Sequence, residues 1–199
     1  MTMSPGLRKF VLAVHLTFSV GWIGAVVAYL ALGVSAVTSQ DPQTLRAAWI
    51  AMERTGWFAI VPLALASLLT GLVMALGTKW GLFRHYWVVI SFVLTVLATG
   101  VLLLHMPDVS ALADVARQAQ RGALDGPGQH LYAQLKGGDL LHPGLGLIVL
   151  LVIQVLNVYK PRGMTRYGQR KDDEQRKDDE QRRAQQRSRR HEQRAVSLP

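Results

Sequence analysis

Residues Phe10–Gln40 read FVLAVHLTFSVGWIGAVVAYLALGVSAVTSQ, a run without one charged side chain. A helix needs about 20 apolar residues to cross the hydrocarbon core of a bilayer, and this run meets that length. Arg8 and Lys9 in front of it and Val34-Ser35-Ala36 within it have the look of a signal peptide. However, the apolar region of a signal peptide spans only about 7–15 residues, and this one is longer and holds Trp22 and Tyr29. A retained helix is expected. Thr55–Thr78, Tyr86–Pro107 and Leu140–Tyr159 have the same character. The expected fold class is therefore all-α: a four-transmembrane-helix bundle over residues 1–159, with spans at about 10–37, 57–77, 86–106 and 140–159.

Residues 160–199 change character. They hold 13 Lys/Arg and 7 Asp/Glu of the chain's 22 and 13, and they cannot bury a core. Gln-Arg-Lys-Asp-Asp-Glu occurs twice in tandem over 169–180, with a degenerate third copy starting at Gln181. Such a low-complexity tail is disordered or a charged helix. Asp172–Arg176, Asp173–Lys177, Asp178–Arg182 and Asp179–Arg183 are acid-then-base pairs at i,i+4, the helix-supporting order. Contact with anionic lipid is the functional expectation for it, and a solvated appendage is the plain one. No nucleic-acid partner is expected, because no aromatics interleave the basic residues and acids dilute them. With no cysteine, disulfides, thiolate metal sites and cysteine nucleophiles are excluded.

Four spans place both chain ends on one side. Arg8, Lys9, Lys79, Arg84, Lys160, Arg162 and Arg166 lie close to the spans there. By the positive-inside rule that side is cytoplasmic, and the expected location is a bacterial inner membrane with both termini cytoplasmic. The opposite side holds a first loop with Arg46 and Arg54 and a long second loop, Asp108–Asp139. Val109, Leu112, Val115, Ala116 and Ala119 have helical spacing, which allows an amphipathic helix on that surface, but a simple connector is the favoured reading. Small residues recur every fourth position, as in Gly21-x-x-x-Ala25 and Ser67-x-x-x-Gly71-x-x-x-Ala75, and suit close helix contact. Ser91, Thr95 and Thr99 form a hydroxyl ladder, and Gly144-x-Gly146 opens span four.

Ionisable groups within spans are functional candidates. His15 lies about 7 Å into the first span, on one face with Ser19, Trp22, Val26 and Tyr29. Gln154 and Asn157 lie in the same leaflet and can meet it. His85 starts span three on that side. At the far side His105 ends span three and His142 opens span four at similar depth, with Asp108 and His130 in the adjoining loop. Two imidazoles from two helices are the axial ligands of a b-type haem. A His pair with Asp108 instead suits a divalent metal or copper. The plain alternative is that His15 hydrogen-bonds Gln154, Asn157 or a backbone carbonyl, and that His85, His105 and His142 are interfacial. No His/Glu/His helix motif, phosphate loop or Ser/His/Asp arrangement is present, and no acid lies in a span core.

The segment His15-Leu-Thr-Phe-Ser-Val-Gly-Trp22-Ile-Gly24 resembles the first helix of small bacterial membrane families with a His followed about two turns later by Trp-x-Gly. These include copper-resistance CopD-like proteins and HemJ-type protoporphyrinogen oxidases, and the resemblance implies His15 as a haem or metal ligand. Thr70-Gly71 through Gly77-Thr-Lys79-Trp80-Gly81, Arg84-His85-Tyr86-Trp87 and Leu104-His105-Met106-Pro107 resembles an uncharacterised bacterial family of small four-helix predicted integral membrane proteins of unknown function. Together these cover spans one to three. The HemJ type carries a Lys just after its third-helix Trp, whereas Val88, Val89, Ile90 and Ser91 follow Trp87 here, which counts against protoporphyrinogen oxidation.

The expectation is an integral membrane protein of unassigned role that binds haem or a metal through His15, His85, His105 or His142, with His15 foremost. The alternatives are a haem-dependent membrane oxidoreductase and a small permease or transporter subunit. Whether it is an enzyme is left open, and no catalytic residue is assigned. The expected partners are the bilayer, anionic lipid at the tail and, as a homo-oligomer, further copies of the chain.

Overall fold

The computed structural model describes residues 3–77, 81–120, 135, 139–161 and 163–196. The helices are α1 (Pro5–Thr38), α2 (Pro42–Thr55), α3 (Val61–Gly77), α4 (Tyr86–Gln120), α5 (Leu141–Tyr159) and α6 (Arg166–Val196). A π-helical turn, Gly56–Ile60, joins α2 to α3 without a break. Four helical paths are long and apolar enough to cross a membrane: Pro5–Thr38, Pro42–Gly77, Tyr86–Gln118 and Leu141–Tyr159. The outward faces of these paths are apolar. Phe10, Leu69, Leu97, Leu104 and Val158 are all exposed, which suits a surface bathed in lipid and not in water. The chain is a helical multi-pass membrane protein.

One end of the bundle carries Met3 and the root of the tail. Met3 N–H donates to the Gly77 carbonyl at 3.1 Å, and the segment before α4 bridges to Met164 through His85. Arg8, Lys9, Arg84 and Lys160 lie at this basic end. At the opposite end three of the four paths overshoot. A 35-residue helix such as α4 is about 52 Å long against a core of about 30 Å.

The overshoot builds a cap that the sequence reading took for loops. The first loop, with Arg46 and Arg54, is the helix α2. Asp41 caps it, accepting from Gln43 N–H at 3.2 Å and Thr44 N–H at 2.9 Å, and Pro42 occupies the first turn, where a missing N–H costs nothing. The stretch 109–120, favoured above as a connector, continues α4 straight through Pro107. The physical reason is mutual burial. Leu45, Ala48, Trp49 and Met52 of α2 and Met106, Val109, Ala113 and Ala116 of α4 are all buried, so neither apolar stripe faces water. Arg117 pairs with Glu53 across the two helices and with Asp114 at 2.5 Å. Trp49 Nε1 donates to the Leu135 carbonyl at 2.9 Å, drawing part of the long connection onto the cap. Most of that connection, including His130, lies outside the described residues.

Within the membrane the small-residue stripes of α1 and α3 meet. A methyl group placed on Gly21 would touch Leu63 at 3.4 Å, and the Ser19 and Ser67 hydroxyls bond at 2.9 Å. Thr95 and Thr99 donate to the carbonyls four residues back, Ser91 at 2.7 Å and Thr95 at 2.8 Å. Gly144 and Gly146 meet nothing within 4 Å, so that pair is not used as a contact face within the chain. Span four, α5, is the peripheral member; Leu150 is its buried residue.

The tail is the charged helix of the two states expected. Of the four acid–base pairs read from its sequence, Asp172–Arg176 forms at 3.8 Å. Its root is docked to the basic end. The Thr165 hydroxyl donates to the Phe83 carbonyl at 2.5 Å and accepts from Gly168 N–H at 3.0 Å, capping α6 while tying it to the α3–α4 connection. Arg84 reaches Asp172 at 3.7 Å and Gln175 Oε1 at 3.1 Å. Gly168 permits this approach: a methyl group there would lie 2.3 Å from the Arg84 carbonyl oxygen.

Candidate metal centre

Where α4 leaves the bundle and α5 enters it, three ligand-type side chains converge. His105 Nε2 lies 2.6 Å from Asp139 Oδ2, and His142 Nδ1 lies 3.5 Å from Asp139 Oδ1. The two imidazoles stack, with ring centroids 4.2 Å apart and an interplanar angle of 22°. One ligand atom from each of the three residues falls within 4.8 Å of the others, and among the described residues this is the place where three such groups meet. Asp139 is the hub and the most enclosed member, with its side chain 9% exposed against 20% for His105 and 53% for His142.

The surroundings explain how a carboxylate is held there. The Tyr29 hydroxyl, brought up by α1, donates to Asp139 Oδ2 at 3.2 Å. A buried carboxylate is costly unless its lone pairs are met; here a phenol and an imidazole serve one oxygen, and the second faces His142. Gly33, one turn beyond Tyr29, makes room. A methyl group on it would lie 2.9 Å from Leu140 Cδ2 and 3.2 Å from the Asp139 carbonyl oxygen. The close approach of α1 to the head of α5 therefore depends on a residue without a side chain.

The depth match between His105 and His142 read from the sequence is realised as direct contact. The acid is different. Asp108, expected as the third ligand, is exposed on the far side of Pro107, and Asp139 takes its place. The missed signal was spacing: Asp139 precedes His142 by three residues and lies one residue before the expected start of span four, so a helical entry places both on one face.

His15 and His85 stand apart. His15 Nδ1 meets Thr70 Oγ1 at 3.0 Å, not Gln154 or Asn157. The Thr70 hydroxyl spends its hydrogen on the Ala66 carbonyl at 2.6 Å, so toward His15 it accepts and Nδ1 donates. His15, Gln154 and Asn157 do line one cleft together, as their shared depth suggested. His85 lies at the basic end beside Trp87, ring centroids 6.4 Å apart, and is not part of that cleft's wall.

Among the described residues the two-imidazole pattern of a b-type haem is not assembled at either place. His15 has no second histidine among the cleft residues. The His105 and His142 rings lie face to face around one carboxylate, whereas axial ligands approach an iron from opposite faces of a porphyrin. Two imidazoles and a carboxylate converging on one point suit a single borderline transition-metal ion such as zinc, copper, nickel or iron. No protein-family model, curated protein or solved structure matches this chain.

Proposed function

We propose that this multi-pass membrane protein binds one transition-metal ion through His105, Asp139 and His142, at the end of the bundle opposite its termini. The observation that carries the reading is the buried Asp139 carboxylate facing imidazoles from two helices. A carboxylate enclosed this far is normally paired with a cation. His105 hydrogen-bonds to it, and an ion held by all three side chains would supply that cation. Tyr29 would then act as the outer partner that orients a ligating carboxylate. The basic end is cytoplasmic on the distribution of Lys and Arg, which puts the metal centre on the outer side of a bacterial inner membrane, with the charged tail α6 free to meet anionic lipid inside.

The test is titration of the purified full chain in mild detergent with zinc, copper, nickel and cobalt ions, with binding read by calorimetry and metal analysis. One ion per chain is expected, with affinity lost in His105→Ala and in Asp139→Asn. Absence of stoichiometric binding, or binding unchanged in His105→Ala, overturns the proposal and leaves the trio as a polar latch between α1, α4 and α5.

A further inference from the structure

At the basic end a cleft of about 660 Å³ runs into the bundle between α1, α3, α4 and α5. Its size is that of a site for a small organic ligand, and its wall is layered. Arg8 and Lys9 from the start of α1 and Lys160 from the end of α5 stand at the mouth. Asn157 and Gln154 follow, about 5 and 9 Å deeper than Lys160 along α5. Trp22 and Leu150 form an apolar floor, with Trp22 about 21 Å along α1 from Arg8.

Ser91 of α4 is part of this wall, and it is 6% exposed. Among the described residues its Oγ has no hydrogen-bond partner. Elsewhere on α4, Thr95 and Thr99 satisfy themselves on their own helix, so the unmet hydroxyl at the cleft is a specific departure. A hydroxyl without a partner within a membrane span is unfavourable and marks where a ligand atom belongs.

Cations, then amide and hydroxyl donors, then apolar side chains is the complement of a phosphate, then ester carbonyls, then acyl chains. We infer that the cleft is a binding site for one anionic phospholipid drawn from the adjoining leaflet. Its phosphate lies at Arg8, Lys9 and Lys160, its ester carbonyls accept from Asn157, Gln154 and Ser91, and an acyl chain runs down toward Trp22 and Leu150. This site is distinct from the metal centre and does not rest on it.

The test uses the full chain incubated with mixed phosphatidylglycerol and phosphatidylcholine vesicles, repurified in mild detergent and weighed intact by native mass spectrometry. One retained phosphatidylglycerol is expected. Ser91→Leu fills the cleft without touching its charges and should abolish retention. Ile153→Trp, on another wall of the cleft, does the same if Ser91→Leu fails to fold by circular dichroism. The pair Arg8→Gln and Lys9→Gln should cut the preference for the anionic lipid by about tenfold or more. Arg46→Gln with Arg54→Gln, on α2 at the opposite end of the bundle, should change nothing. Equal retention of the two lipids, retention that survives cleft filling in a folded variant, or recovery of a free long-chain carboxylate in place of the phospholipid each overturns the assignment.

Discussion

Tyr29 and Asp139 are separated by 110 residues of chain, and the phenol of one donates to the carboxylate of the other across 3.2 Å. This contact joins the first span to the head of the last. Outer partners of metal ligands commonly govern affinity by about 10–100-fold. Tyr29→Phe keeps the ring and removes the donor, so it should weaken ion binding by about tenfold or more while the protein still inserts. Calorimetric titration of the variant beside the parent measures this; an unchanged affinity would separate Tyr29 from the metal centre.

Trp49 is the largest fully buried side chain of the cap, 1% exposed, and its indole is hydrogen-bonded to the Leu135 carbonyl at 2.9 Å. Trp49→Ala removes both the filling and the bond. Truncation of a buried Trp costs about 3–5 kcal/mol, so thermal unfolding in detergent should move to markedly lower temperature. Trp57→Phe is the contrast. Trp57 is 40% exposed and bonds only Ser110 among the described partners, and its replacement should shift the transition little.

The root of α6 offers a clean disruption. Gly168→Ala drives a methyl group against the Arg84 carbonyl oxygen, 2.3 Å away, and backbone cannot yield as a flexible side chain does. The tail helix should leave its seat while the spans stay packed. Spin labels at Leu76 and Lys177 would report a broadened distance distribution in the variant; an unaltered distribution would refute the docking.

Asp41 gives the cap a dependence on pH. Hydrogen bonds from the Thr44 hydroxyl and N–H and from Gln43 N–H hold its carboxyl below the usual carboxylate range. Because the folded value lies below the unfolded one, this stabilisation is fully present above the unfolded value. It is lost as the pH falls through the folded value. Protection factors at Gln43 and Thr44, taken against the intrinsic exchange rate at each pH, should therefore fall on strong acidification. In Asp41→Asn, which keeps a capping oxygen but cannot titrate, that acid response should flatten.

Orientation is checked by a reporter fused after Pro199. A fluorescent protein that matures only in the cytoplasm should glow there, and an alkaline phosphatase fusion at the same position should be inactive. The reverse pattern would turn the bundle over and place the metal centre inside the cell.

The four spans were legible because charge-free length is a local property: Phe10–Gln40 announces itself without reference to any other segment. The cap was not, since Arg46, Glu53 and Arg54 interrupt α2 and its apolar stripe gains meaning only opposite Val109, Ala113 and Ala116. Depth along a span is local too, which is why His105 and His142 were matched correctly. Lateral neighbours are not local. His15 had the right depth for Gln154 and Asn157, yet its partner is Thr70, delivered by the contact of α1 with α3. Asp139 was passed over for Asp108 because a charge beside a glycine-rich connection reads as loop until the start of α5 is known.

α1, α4 and α5 each carry one member of both ends of the molecule: Tyr29 and Arg8 on the first, His105 and Ser91 on the second, His142 and Asn157 on the third. His105 and Ser91 stand about 21 Å apart on one uninterrupted helix. An ion that drew the outer ends of these helices together would be coupled to their inner ends through the same three helices. Thermodynamic linkage then runs both ways: whatever factor the ion contributes to the affinity of the cleft for its lipid, the lipid returns to the affinity of the centre for its ion.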